Sequence, residues 1–354
     1  MIKHSSPFVG KDEVKEIEKI IKKGILSVGN IVEKFENKTL DFVGTKFSVA
    51  VSSGSASLFL ILKFLPEVFP SLKGKKKVII PSFACPAISN AVLFAGYEPV
   101  FCDINLDTFS LDFADVKKKI TPDTLAVVYI HSFGICEDLK EFFKLGIPLI
   151  EGIAQSFGGR VNGKFVGSYG LASFSSFYAT KVITTAEGGA VFSDERNLVE
   201  KIKDFIDYDK KDYEPDQVRF NFKMSDIQAA IGLAQLKKLP QILKKRKNLG
   251  FYYIKKFSEL NLKLPRKENN IFFRFVVLSD GKMKSEKIID FLRKKGVMAE
   301  KPIWKPLHYF YKSFANSDLK NTEFAYDYGI SLPIHPSITK KQVDFIAKVL
   351  KSAL

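Results

Sequence analysis

Apolar residues recur at helical spacing over residues 11–43: Val14, Ile17, Ile20 and Ile21, then Ile31, Phe35 and Leu40. Positions three and four apart share one face of a helix. Gly24 and Gly29 divide the stretch, so it predicts two helices. Phe47-Ser48-Val49-Ala50-Val51 reads as a strand, followed by the small-residue turn 52–57 and an apolar helix over 58–65. Short apolar runs then alternate with helical stretches. Strand candidates lie at 78–80, 100–103, 125–131, 148–151, 171–177 and 190–193, with helices near 87–95 and 113–120. Such alternation implies a mostly parallel sheet covered on both faces, with ligands at the strand carboxyl ends.

The periodicity strengthens again at 225–239, where Ser225 is placed as an N-cap and Gln228 completes a capping box. Pro240 is expected to end that helix, and a lysine-rich helix over 242–257 leads into a smaller unit. There 271–278 is strand-like, while 285–295 and 340–354 are helical. The fold class is therefore α/β: a large domain at 1–240 and a small C-terminal α+β domain at 241–354.

Composition narrows the class. The chain has 354 residues, 46% of them hydrophobic and 33 of them Phe, enough for a large core and too apolar for a disordered protein. No apolar run reaches the length of a membrane-spanning helix, and residues 1–7 lack the apolar stretch of a signal peptide. Cys85, Cys102 and Cys136 are an odd number without metal-ligand spacing, which fits reduced thiols in the cytoplasm. The formal charge of +16 falls in lysine clusters at 73–77, 117–119, 237–238 and 244–247. Without zinc-finger spacing or an aromatic ribonucleoprotein signature, that charge suits an anionic small substrate better than nucleic acid.

Two segments carry candidate chemistry. The strand, small-residue turn and helix start at 47–58 form an anion site, because free backbone N–H groups and the helix dipole face the turn. The segment Ser173 to Ala190 sets Lys181 between a Ser/Thr-rich approach and Gly188-Gly189. A lysine whose pKa is lowered by burial or cationic neighbours can attack a carbonyl, as a Schiff-base lysine must. Of the four histidines, His131 ends a strand and reads as a core residue or one facing a ligand. His308 and His335 lie in Pro-rich loops, and His4 lies in a terminus expected to fray. None has a metal partner at useful spacing, so no metal is assigned.

In order, the segments Val49-Ala50-Val51-Ser52-Ser53-Gly54-Ser55-Ala56, Ile80-Pro81-Ser82-Phe83, Pro99-Val100-Phe101-Cys102-Asp103-Ile104, Ala154-Gln155-Ser156, the Lys181 segment and Asn221-Phe222-Lys223-Met224-Ser225-Asp226-Ile227-Gln228 make the chain resemble the DegT/DnrJ/EryC1/StrS family. These are pyridoxal-phosphate-dependent nucleotide-sugar aminotransferases of fold type I, and the resemblance covers nearly the whole chain. It implies that Lys181 forms the Schiff base with pyridoxal phosphate. By the same resemblance Gly54, Ser55 and Ser176 hold the cofactor phosphate, and Gln155 bonds near the phenolic oxygen. Asn221 would reach the phosphate in a neighbouring subunit, implying a homodimer. The implied reaction moves an amino group, with glutamate as donor, to a keto-sugar of a nucleoside diphosphate in polysaccharide biosynthesis.

Two positions depart from the family pattern. Gly152 stands where an acidic residue contacts the pyridine nitrogen, and Cys85 where an aromatic stacks on the ring. Glu151 is adjacent to Gly152, but neighbouring strand residues point to opposite faces. The alternative that Gly152 motivates is a degenerate member binding cofactor or sugar nucleotide in a regulatory role, or one with altered chemistry. Family dehydratases replace the lysine by histidine, which Lys181 disfavours. Candidate sugar-side segments are Leu26-Ser27-Val28-Gly29 and Trp304-Lys305-Pro306-Leu307-His308, each equally readable as a packed turn or loop.

Overall fold

The computed structural model describes residues 1–209, 217–314 and 318–354. Helices α1 (Lys11–Lys23) and α2 (Asn30–Leu40) open the chain. Gly24 ends α1 in the left-handed region at φ 69°, and Gly29 precedes α2, so both glycine breaks are realised. Strands β1 (Phe47–Val51), β2 (Lys77–Pro81) and β3 (Glu98–Cys102) follow, separated by helices α3 (Gly54–Val68) and α4 (Pro86–Phe94). A ribbon of β4 (Ile104–Asn105) and β5 (Ser110–Leu111) leads to α5 (Phe113–Lys119), β6 (Thr124–Ile130), α6 (Lys140–Phe143) and β7 (Leu149–Gly152). After a second ribbon, β8 (Arg160–Val161) with β9 (Lys164–Phe165), come β10 (Ala172–Ser176), β11 (Gly189–Ser193) and α7 (Arg196–Ile206).

Seven of these strands form one sheet in the order β1-β11-β10-β7-β6-β2-β3. Only β11 runs against its neighbours, and β10, β7, β6, β2 and β3 pair in parallel. The antiparallel strand has a local consequence. Gly189 at its start lies opposite both Val51 and Ser176, so the ends of β1 and β10 meet there. On one face of the sheet, Leu58, Ile61 and Leu65 of α3 pack with Leu198 and Ile202 of α7. On the other, Phe35 of α2 packs with Phe177, Phe192 and Leu236. Each such side chain contributes about 1.5–3 kcal/mol when fully buried.

Helix α8 runs unbroken over Asp226–Phe257, through Pro240. The expected stop after Leu239 is thus corrected. An interior proline removes one helix hydrogen bond and costs about 3 kcal/mol. Here Leu236, Leu239 and Ile242 are all fully or nearly fully buried across the proline, and that packing holds the helix together. The capping box at its start is present: Gln228 Oε1 accepts from Ser225 N–H at 2.9 Å, and Ser225 Oγ accepts from Gln228 N–H at 3.3 Å.

The C-terminal part holds β12 (Leu262–Lys263), β13 (Phe275–Ser279), α9 (Ser285–Lys294), α10 (Leu307–Phe310), α11 (Lys320–Tyr328), β14 (Gly329–Leu332) and α12 (Lys340–Lys351). Its three strands form an antiparallel sheet, β12-β13-β14, over a core with Tyr253, Phe257, Phe275 and Ile346. The expected strand at 271–278 starts four residues late. Residues 271–274 bond instead to the loop after β6, through Ile271 N–H to Gly134 O at 2.9 Å and Arg274 N–H to Phe133 O at 3.1 Å. A Cβ at Gly134 would meet Phe273 N at 2.6 Å, so the approach of the two segments needs glycine there.

The N-terminus does not fray. Ile2 bridges to Val297, and His4 is buried between Ser331 Oγ at 2.9 Å and Glu300 Oε2 at 3.2 Å. Burial, with Arg274 nearby, lowers the His4 pKa to about 3. His4 is therefore neutral, and its contact with Glu300 is not an ion pair. Among the described residues no helix is long and apolar enough to cross a membrane, and no cluster of His, Cys, Asp and Glu could hold a metal ion.

Candidate active site

A cavity of about 710 Å³ opens at the carboxyl ends of β6, β7 and β10. Seven of the eight residues singled out from sequence line it: Gly54, Ser55, Cys85, Gly152, Gln155, Ser176 and Lys181. Asn221 does not. It is exposed outside the cavity, its Oδ1 accepting from Lys223 N–H at 3.3 Å, on a segment that pairs with the end of β1.

The anion cradle comes from the turn into α3. Ser53 caps the helix, its Oγ accepting from Ala56 N–H at 3.1 Å, and no acidic residue sits in the first turn. First-turn N–H groups have no acceptor inside a helix, and the dipole makes that end positive. Ser176 closes the other side. A Cβ at Gly54 would meet Ser176 Cβ at 2.6 Å, so the cradle exists only because residue 54 has no side chain. A phosphate monoester fits a turn that offers free N–H groups and a hydroxyl.

Lys181 lies in the loop between β10 and β11, its N–H donating to Tyr178 O at 2.9 Å. Burial lowers its pKa below the ordinary 10.5, the charge of Arg274 lowers it further, and only Cys85 acts in the opposite sense. The neutral amine is thereby easier to reach than in an ordinary lysine, which suits an aldehyde cofactor whose phosphate the turn at Gly54 and Ser55 could hold. Gln155 Oε1 accepts from Phe133 N–H at 2.7 Å, which leaves its amide N–H groups as the donors toward the cavity. Phe133 itself holds φ at 57°, uncommon for a bulky residue, and lines the same wall.

Glu151 and His131 belong to the far face of the sheet. Glu151 is fully buried and accepts from Gly167 N–H at 2.8 Å, from Tyr169 and Gly170 N–H at 2.7 Å each, and from His131 Nε2 at 3.0 Å. Glu137 N–H donates to His131 Nδ1 at 3.3 Å, which puts the ring proton on Nε2. His131 is therefore a core histidine. Of the two proposed sugar-side segments, Trp304 lines the cavity. Residues 26–29 lie elsewhere, where Asp226 Oδ1 accepts from Gly29 and Val32 N–H at 3.0 Å each. His308 is bonded to Ser82 Oγ at 2.7 Å and does not line the cavity.

Sequence reasoning missed the residues of the C-terminal part that close the cavity: Arg274, Arg293, Glu300 and Lys301. Nothing local marks them, because each lies in an otherwise ordinary helix, strand or loop segment. The excess of cations among them gives this side of the cavity an affinity for anions.

The sequence profile of the DegT/DnrJ/EryC1/StrS aminotransferase family matches residues 7–351. A GDP-perosamine synthase of Caulobacter vibrioides is 30% identical over 93% of this chain and 92% of its own. A Helicobacter pylori UDP-4-amino-4,6-dideoxy-N-acetyl-beta-L-altrosamine transaminase is 29% identical over 99% of this chain and 97% of its own. The solved structure of Helicobacter pylori PseC, an aminotransferase involved in pseudoaminic acid biosynthesis, superposes with a TM-score of 0.92 at 28% identity, covering 99% of this chain and 98% of that one. Lys181 shares one cavity with Gly54, Ser55 and Ser176, and the match runs almost end to end: this chain belongs to the DegT/DnrJ/EryC1/StrS aminotransferase family.

Proposed function

We propose that this protein is a pyridoxal-phosphate-dependent aminotransferase that loads an amino group onto a keto-sugar of a nucleoside diphosphate. The observation that supports it most is the joining of Lys181 to the Gly54–Ser55–Ser176 cradle in one cavity. When bound, pyridoxal phosphate supplies an aldehyde that takes up amino groups and a ring that draws electrons. The chain's own residues do the rest. The first turn of α3 and Ser176 hold the phosphate, and Gln155 donates to the ring's oxygen side. Lys181 Nζ would take a proton from the donor's α-carbon as general base and deliver it to the cofactor's former aldehyde carbon as general acid. Arg274, Arg293 and Lys301 on their side of the cavity suit the pyrophosphate of a sugar nucleotide and the carboxylates of glutamate, the donor we assign.

The protein acts as a homodimer in this reading. Asn221 is exposed, away from its own chain's cavity, as a residue serving the partner's phosphate would be. The large and small domains divide at 240/241, inside α8, with Arg274, Arg293 and Lys301 brought to the cofactor from the small side. Three free cysteines suit the cytoplasm.

The visible absorption of the purified protein with added pyridoxal phosphate tests the reading. A band that Lys181→Ala abolishes and that glutamate bleaches is expected. A protein that shows no lysine-dependent band would overturn it.

A further inference from the structure

A pyridoxal ring joined to Lys181 through its aldehyde carbon carries its nitrogen at the para position, across the ring from the lysine. With the phosphate at Gly54, Ser55 and Ser176, that nitrogen would be directed at the ends of β6 and β7. The lining there is Ile130, Gly152 and Phe174; Ser132, just after β6, also lines the cavity, with its Oγ donating to Ile130 O at 3.4 Å. The space an acidic side chain would need is filled. A Cβ at residue 152 would meet Phe174 Cζ at 2.9 Å and collide with Ile130 Cδ1. Glu151 cannot turn in from behind, because four donors on the opposite face hold its carboxylate. The described lining has two carboxylates, Glu187 and Glu300. Glu187 lies in the loop after Lys181, two residues before Gly189, which pairs with Ser176 at the phosphate end of the cavity. Glu300 belongs to the C-terminal part and contacts His4.

A cationic ring nitrogen set against hydrocarbon with no counter-charge is disfavoured by desolvation. We infer that this chain holds its cofactor with the ring nitrogen unprotonated, on an apolar seat of Gly152, Ile130 and Phe174. The inference rests on the functional reading above. An unprotonated ring draws electrons less strongly, so the seat sets the ring's electronic character.

The test uses the full-length protein loaded with pyridoxal phosphate labelled with ¹⁵N in the ring, followed by NMR while pH is varied. The label is expected to keep the shift of an unprotonated pyridine nitrogen wherever the protein is folded. An analogue with CH in place of that nitrogen should bind within about two-fold of the cofactor, since no hydrogen bond to the nitrogen is lost. A protonated shift near neutral pH, or an analogue weaker by about tenfold or more, the size of a lost bond to a charged group, would overturn the inference. The double variant Ile130→Ala/Gly152→Asp removes the closer obstacle, leaving only the tip of the Phe174 ring to shift, and should move the label to the protonated shift. An unmoved label in a folded, loaded double variant would place the nitrogen elsewhere and overturn the seat. Loss of the lysine-dependent visible band would overturn the functional reading itself. A band with a protonated nitrogen would overturn the seat alone.

Discussion

At the scale of single residues, Lys181 and Arg274 form a unit. A lysine whose folded pKa is lowered keeps a free amine at pH values where an ordinary lysine is charged. Loading of the apoprotein with pyridoxal phosphate, followed by its visible band, should therefore reach half its maximal rate below the ordinary lysine value of 10.5. Arg274 contributes to that lowering, so Arg274→Gln should move the midpoint upward. An unmoved midpoint would mean that burial alone sets the amine. Glu151 illustrates the opposite case. A carboxylate next to the cofactor wall in sequence is spent on three backbone N–H groups and His131, because successive residues of β7 face opposite sides.

At the scale of elements, β1, α3, β10 and β11 meet at the turn proposed to hold the phosphate. Gly54 and Gly189 both stand where a side chain would strike the neighbouring segment, Ser176 in one case and Ser53 and Ser57 in the other. Gly54→Ala should cost about 1–3 kcal/mol by overpacking and weaken pyridoxal phosphate binding more than it lowers stability. Thermal denaturation with and without the cofactor separates the two effects. This junction was legible beforehand, since a strand, a small-residue turn and a helix start are local signals. So were the capping box of α8 and the glycine breaks around α2. Helix α7 was overlooked although Leu198, Val199, Ile202, Phe205 and Ile206 stand at helical spacing. The stop assigned to Pro240 failed for a different reason. Proline's local cost is real, but burial along the whole of α8 outweighs it, and burial is not a local property.

At the scale of the whole molecule, residues far apart in sequence close one cavity. Arg274, Arg293 and Lys301 reach it because 271–274 leave the small sheet to bond with the loop after β6. If Asn221 serves the partner's cavity, co-expressed Lys181→Ala and Asn221→Ala chains should recover activity that neither has alone, because one of the two sites in a mixed dimer is intact. Transamination measured on the separated mixed species checks this, and no recovery would show that each cavity is complete within one chain.

The sequence by itself determined the α/β class and the family, and it singled out Lys181 and the turn at Gly54 and Ser55 that the fold brings into one cavity, because these rest on short-range periodicity, turn chemistry and runs of matching residues. It also exposed Gly152 as a missing acid. Only the tertiary structure decided what replaces that acid. Ile130 and Phe174 come from strands on either side of β7, and the direction of Glu151 depends on the loop at 167–170 that holds it. Which side chains meet across a sheet follows from register and packing between distant segments, and no local pattern along the chain encodes it.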